Sequence, residues 1–392
     1  MGKSLTRKII EAHYVSGSMK AGEEVFIKVD QTLTHDINAV MTYLAFEAIG
    51  LDRIRTECSV SYLDHNLLYV DHKTPDDHIY LQSAAEHFGV HVSRPGNGIC
   101  HAVQVSRFGA PGKVSMGGDS HTPHGGSIGM LCIGVGGMDV ATAIMGTFAS
   151  AADILGDQID ILAEVHEKEE YEINDNLIIK PLPEEEAKKV EIVRGPNIKF
   201  LPVPEVPVQH LKVPVSLKGG DNISTDDITP ASAEFSSMRS NIPLMSKYCY
   251  YRYDPEFSER AREMGSSIII GGENYGQGSS REHAAINPMY LGVKYVIAKS
   301  IARIHKGNLV NHGIVPMLFE DPADYEKVDL RDELEIENFL DQIPTRRVVV
   351  KDVTKGFIFK TKLDLTDNEL EVVLCGGQLR YLKKELAKQG NI

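Results

Sequence analysis

The chain has 392 residues, 42% hydrophobic and 24% charged, a balance that suits a globular protein with two or three separate cores. Its formal net charge of −14 argues against nucleic acid as the main partner, because a phosphate backbone calls for a basic face. No apolar run approaches a membrane span, and Lys3, Arg7 and Lys8 precede no apolar leader, so the expectation is a cytoplasmic chain without a membrane partner.

The first 147 residues alternate helix and strand signals. Residues 8–15 read as a short helix and 25–29 as a strand. Asp36 is placed to cap a helix whose apolar face carries Ile37, Val40, Met41, Leu44 and Ile49 and which stops at Gly50. A strand over 58–63 follows, then a helix over 76–88 halted by Gly89, then strands at 90–92 and 113–116. Strands separated by helices predict a mostly parallel sheet, and ligands of such sheets bind beyond the carboxyl ends of the strands. Asp64-His65 and Asp119-Ser120-His121 fall at two such ends, and His101 lies in the loop region after a third strand. The pattern thus collects three histidines and two aspartates on one edge. Each cluster taken alone also fits a plain turn or a surface pair held by side-chain caps.

Residues 148–170 read as helical and acidic, and 180–214 carry seven prolines, which predicts an extended, semi-rigid connector. The chain therefore divides as 1–147, a linker over 148–214, and a second α/β unit over 215–392. That unit centres on an apolar strand, Ile268-Ile269-Ile270, running into Gly271-Gly272-Glu273-Asn274-Tyr275-Gly276-Gln277-Gly278-Ser279-Ser280-Arg281-Glu282. Further strands are expected at 295–298 and 313–318. Ser279 and Glu282 have the S-x-x-E spacing of a capping box, predicting a helix that starts there and offers unpaired amides to an anion. Arg281 adds a planar fork suited to a carboxylate.

The loop GGENYGQGSSREHAA resembles the signature of the C-terminal swivelling domain of the aconitase family. Asp64-His65-Asn66, Gly98-Ile99-Cys100-His101 and Gly118-Asp119-Ser120-His121-Thr122-Pro123 resemble three active-site segments of the same family's first domain. The resemblance implies the fold: a partial three-layer α/β N-terminal domain followed by the C-terminal swivelling α/β domain. It also implies a hydro-lyase that isomerises citrate and isocitrate through cis-aconitate. By matching motif, Ser279 is the base, and Ser280 and Arg281 support it and bind carboxylate. Asp64 and His65 form the acid pair at the departing hydroxyl, with His101, Asp119, Ser120 and His121 beside them. Asp226 matches a further active-site aspartate, and Arg239 a substrate-carboxylate arginine.

The same resemblance implies a [4Fe-4S] cluster, and here the chain departs from the family. The central stretch that supplies the cluster's three cysteines is absent after residue 147. The five cysteines (Cys58, Cys100, Cys132, Cys249, Cys375) are scattered, and none stands in a matching position. His35 appears where the family commonly places a substrate-contacting glutamine. The shortened first domain is expected to expose an edge for a partner chain, a second copy or local repacking to cover.

Three readings compete: a hydro-lyase of tricarboxylates (citrate, with homoaconitate or methylcitrate as variants), a protein holding one metal ion through His65, His101, Asp119 and His121, and a carboxylate binder without turnover. Tyr275-Gly276-Gln277-Gly278 resembles aconitase more than isopropylmalate isomerase, whose small subunit carries cysteine there.

Overall fold

A computed structural model describes residues 3–20, 22–146 and 174–388, with the backbone alone of 149–150. It separates into two compact units, Met1–Ile198 and Lys199–Ile392. The helical reading of 148–170 lies outside the described residues apart from 149–150, which form a short strand.

In the first unit, strands β1 (Tyr14–Gly17), β2 (Val25–Ile27) and β8 (Ala149–Ser150) make a small antiparallel sheet. The main sheet has six strands, β3 (Gln31–His35), β4 (Cys58–Tyr62), β5 (His91–Ser93), β6 (Val114–Gly117), β7 (Leu131–Gly134) and β9 (Ile178–Ile179), in the order β7-β6-β3-β4-β5-β9. Every neighbouring pair is parallel except β5 with β9. The chain leaves β3 towards β4 on one side and later returns through β6 on the other. The strand order therefore reverses between β3 and β6, the kind of switch point where open α/β sheets hold ligands.

Several expectations change in this unit, beginning with the helix read at 8–15, which is Leu5–Ala12 with Tyr14 and Val15 in β1. The helix after β3 is Ala39–Ile49 with Asn38 at its cap, ending at Gly50 in the left-handed region. Asp36 does not cap it. Its carboxylate accepts the backbone N–H groups of His65 at 3.1 Å and Asn66 at 2.9 Å and faces His78 Nε2 at 3.0 Å. A buried carboxylate gains more from three donors on neighbouring elements than from one helix amide. The segment after residue 174 is also not a free connector: β9 pairs with β5, Arg53 donates to the Leu182 carbonyl, and Val193 N–H donates to Ser83 Oγ. Part of the exposed edge expected of a shortened domain is thus covered by the chain itself.

In the second unit, β10 (Leu211–Lys218), β11 (Ser267–Gly271), β12 (Val293–Ala298), β13 (Val315–Phe319), β14 (Glu333–Ile336), β15 (Arg347–Asp352) and β16 (Phe357–Lys362) close into a barrel ordered β10-β11-β12-β13-β16-β15-β14. The first four strands run parallel and the return through β16, β15 and β14 is antiparallel. The isoleucine run of β11 is explained by burial on both faces. Ile268 and Ile270 join one core with Val215, Tyr295 and Met317, while Ile269 joins another with Val296, Phe257 and Ala284. β10 begins at Leu211, inside the stretch read as linker, and Glu205 already pairs with Lys294 at 2.7 Å.

Candidate active site

The first unit builds its polar cluster at the carboxyl ends of the parallel strands. His35 ends β3, Asp64 and His65 follow β4, and Asp119 follows β6, so the switch point between β3 and β6 brings His35 and Asp119 together. Close backbone approach makes this possible. A methyl on Gly118 would overlap the Asn38 side chain, whose amide donates to the Gly118 carbonyl at 2.5 Å. The loop carrying Asp119 is thereby tied to the turn after β3.

Asp119 is buried and sits among four imidazoles. Its Oδ2 lies 3.7 Å from His35 Nε2 and 3.6 Å from His65 Nε2. Its Oδ1 lies 3.3 Å from His101 Nδ1 and 3.6 Å from His121 Nδ1, and accepts the His121 backbone N–H at 2.8 Å. The rings of His35 and His65 stack with centroids 4.0 Å apart, and those of His101 and His121 with centroids 5.1 Å apart. Asp64 faces His65 Nδ1 at 2.9 Å and accepts the Cys100 N–H at 2.5 Å. Ser120 stands beside His121, its hydroxyl 3.3 Å from Nδ1, on the exposed side.

The electrostatics follow from these contacts. Burial alone would lower the His65 pKa, but the hydrogen bonds to Asp119 and Asp64 outweigh it and push it up to about 10. Burial likewise opposes ionisation of Asp119, yet His65, His35 and the His121 amide hold that carboxyl below its ordinary range. The expected set Asp64, His65, His101, Asp119 and His121 is therefore assembled. His35, noted from sequence only as a departure from the family pattern, joins it, and so does Cys100. No periodicity marks Asp36, whose role depends on residues about 30 positions away.

In the second unit the loop after β11 pairs with the segment after β10. Gly276 N–H donates to Ile223 O at 2.7 Å, Thr225 N–H to Gln277 O at 2.8 Å, and Ser279 N–H to Thr225 Oγ1 at 3.2 Å. Arg281 Nη1 reaches Asp226 Oδ1 at 2.6 Å, Thr229 O at 2.9 Å and Thr225 O at 3.3 Å. These bonds correct the capping-box expectation. They hold residues 279–281 along the 224–229 turn, and the helix begins at His283 with Glu282 at a cap that makes no side-chain hydrogen bond. The anion reading of Ser279 therefore rests on the loop and on Arg281, not on helix amides.

Tyr275 anchors this loop from within, its hydroxyl bonded to that of buried Tyr250. Ser280 is buried under the loop. Arg239, matched from sequence to a substrate-carboxylate arginine, is buried too, and its carbonyl lies 3.0 Å from His283 Nε2. Burial, then the charges of Arg239 and Arg281, push His283 down to about 3, so that ring is neutral. Arg281 and Asp226 thus lie beside the Ser279–Ser280 segment, while Arg239 is placed at His283.

The cysteines do not fit an iron–sulfur cluster. All five are free thiols, and Cys58 and Cys132 stand near the starting ends of β4 and β7, whereas Cys100 lies beyond the carboxyl ends of the strands, beside Asp64. Burial raises Cys58 to about 11 and Cys132 to about 12, and burial with Asp64 and Asp119 raises Cys100 further. Among the described residues no helix is long and apolar enough to cross a membrane.

Residues 7–153 match the model of the aconitase family (aconitate hydratase), and 249–322 match the aconitase C-terminal domain. A Dictyostelium discoideum protein described as "Probable aconitate hydratase, mitochondrial" is 42% identical over 126 residues, covering 31% of this chain and 16% of that one. The mitochondrial aconitate hydratase of Saccharomyces cerevisiae is 40% identical over 142 residues, or 18% of its length. The chain thus spans under a fifth of either protein. The 3-isopropylmalate dehydratase small subunit 2 of Archaeoglobus fulgidus is 38% identical over 167 residues, 43% of this chain and 92% of that subunit. A crystal structure of 3-isopropylmalate dehydratase from Methanocaldococcus jannaschii aligns at 28% identity and a TM-score of 0.37, covering 46% of this chain and 98% of that one. With a subunit matched over nearly its whole length and both terminal domain models present in order, the chain belongs to the aconitase family.

Proposed function

We propose that this chain is a hydro-lyase that moves a hydroxyl between adjacent carbons of a citrate-like tricarboxylate, by dehydration to the aconitate-type alkene and rehydration. The observation that carries the reading is the convergence of Asp64, His65, His101, Asp119 and His121 at the sheet's switch point, in the order of the family's active-site segments. On the acid side, the Asp64–His65 pair stands at the departing hydroxyl, with Asp119, His101 and His121 beside it and Ser120 at the exposed rim. Within the second unit, the matching motif assigns Ser279 to the carbon-bound proton and Ser280, Arg281 and Arg239 to carboxylate, with Asp226 orienting Arg281 through their 2.6 Å contact.

No step is assigned to a [4Fe-4S] cluster, because the thiols do not assemble one. A second chain supplying the absent central region belongs to the same reading, since a relative matched over 92% of its length is itself named a small subunit. The test is alkene formation from citrate, isocitrate, homocitrate and methylcitrate by the purified chain, followed in the ultraviolet and by mass spectrometry. Turnover that disappears in Ser279→Ala and in Asp119→Asn supports the assignment. Turnover unaffected by either substitution, or none with any of the four acids at any protein concentration or added divalent metal, overturns the reading for this chain.

A further inference from the structure

We infer that His35, His65 and Asp119 form a binding site for a single divalent transition-metal ion, held by nitrogen and oxygen ligands where the family's cluster chemistry has no thiols to use. The three donors are brought from the ends of β3, β4 and β6, and one atom from each lies within 4.8 Å of the others. Ligand atoms around a tetrahedral ion with bonds of about 2.1 Å stand about 3.4 Å apart. The observed separations of 3.7 Å and 3.6 Å from Asp119 Oδ2 to the two Nε2 atoms need a contraction of only a few tenths of an ångström.

The surroundings suit ligation. Asp64 faces Nδ1 of His65 at 2.9 Å, leaving Nε2 to point at the site, the carboxylate–histidine arrangement that orients metal-binding imidazoles. The His121 amide engages Asp119 Oδ1 at 2.8 Å and so turns Oδ2 towards the two stacked rings. An ion bound at His35 Nε2 displaces the Asn38 amide, 3.2 Å away, and fixes the ring proton on Nδ1, which gives up the Ile37 N–H that it accepts at 3.3 Å in the ion-free protein. His35 and Asp119 are buried, whereas the His65 side chain is 24% exposed, so the site has one open side for entry and for an exchangeable ligand. Two imidazoles and one carboxylate with open positions suit Fe(II), Co(II) or Zn(II).

If the hydro-lyase reading holds, the ion takes over from the His65 proton in polarising the departing hydroxyl, because it occupies Nε2, and His101 and His121, on the Oδ1 side of Asp119, pass the proton. That role rests on the proposed function; the binding site itself does not. Metal uptake without turnover leaves the site standing and removes the activity.

The experiment is titration of the chelator-stripped full chain with cobalt(II), read by visible absorption and calorimetry. One equivalent is expected, with His35→Gln and Asp119→Asn each weakening binding by at least about tenfold. His210→Gln, in the separate exposed group of His210, Glu335 and Glu337, is expected to leave it unchanged. X-ray absorption of the cobalt-loaded wild-type protein is expected to show imidazole and oxygen ligands, and it decides the matter even if a variant fails to fold. No saturable uptake, a sulfur ligand, or binding lost in His210→Gln but kept in His35→Gln overturns the inference.

Discussion

The imidazole of His305 occupies the space that any side chain on Gly276 would need. Gly276 has φ +79°, and a methyl group built on it would overlap the His305 ring. The same histidine packs edge-on against Tyr275, with ring centroids 5.3 Å apart. One glycine of the signature loop is therefore fixed by two requirements, a left-handed backbone and a neighbour without free volume. Gly276→Ala is expected to cost about 2–5 kcal/mol, the sum of left-handed strain and overpacking. Urea unfolding measures it. Adding His305→Ala makes room at Gly276, so the double variant is expected to lose less than the two single losses combined.

His305 and His283 also set an acid limit on stability. Both are fully buried, and burial pushes each down to about 3, with Arg239 adding to the shift of His283. The unfolded chain takes up these protons near pH 6.5 and the folded chain does not until about 3. The stabilisation is therefore complete above pH 6.5 and is lost as pH falls through that window, by up to about 1.4 kcal/mol per pH unit for each ring. His305→Gln removes one of the two titrations. Denaturant midpoints taken between pH 7 and pH 4 are expected to fall less steeply in that variant than in the wild type.

The sequence exposed the clusters better than it exposed their supports. Asp64-His65, His101 and Asp119-His121 were legible because they follow strands, and a strand followed by a polar run is a local signal. β3, with the sequence Gln31-Thr32-Leu33-Thr34-His35, carries no apolar alternation and was not read as a strand. Its polar groups are satisfied by partners distant in sequence: Thr32 bonds Ser59 at 2.5 Å, and Gln31 Nε2 donates to Phe108 O at 2.8 Å. Such a strand becomes recognisable only once its neighbours are known. β14 and β15 are a different case. Glu333-Leu334-Glu335-Ile336 and Arg347-Val348-Val349-Val350 bury every second residue, a period-two pattern visible in the local sequence itself. The helix start misplaced at Ser279 was set by tertiary contacts, the Arg281 bonds to Thr225, Asp226 and Thr229, against a real local propensity.

Those Arg281 bonds separate stability from binding. The Asp226 side chain is 57% exposed, so its ion pair with Arg281 contributes less than about 1 kcal/mol to folding. Asp226→Asn is expected to leave the thermal midpoint within a few degrees of the wild type while loosening the guanidinium. Under the proposed function the Michaelis constant rises by about tenfold, roughly 1.4 kcal/mol of lost carboxylate binding, with a smaller change in kcat. Arg281→Lys, which surrenders the planar fork, is expected to cost more than Asp226→Asn in the same assay.

Asp36 tests whether the acid cluster is held from beneath. Its carboxylate accepts the N–H groups of His65 and Asn66 and faces His78, while His78 also meets the Tyr69 hydroxyl at 2.9 Å. Asp36 is 4% exposed, and its side chain 1%. Asp36→Ala leaves one buried amide, one part-buried amide and one buried imidazole without their acceptor, at an expected cost of about 2–4 kcal/mol in unfolding free energy. Asp36→Asn keeps one acceptor oxygen and is expected to recover part of that loss. The positioning role separates from the structural one in the cobalt titration. At temperatures where Asp36→Asn is fully folded, its cobalt affinity is expected to fall, because His65 is carried on the peptide that Asp36 fixes. Wild-type affinity in a destabilised Asp36→Asn protein would assign the residue to folding alone.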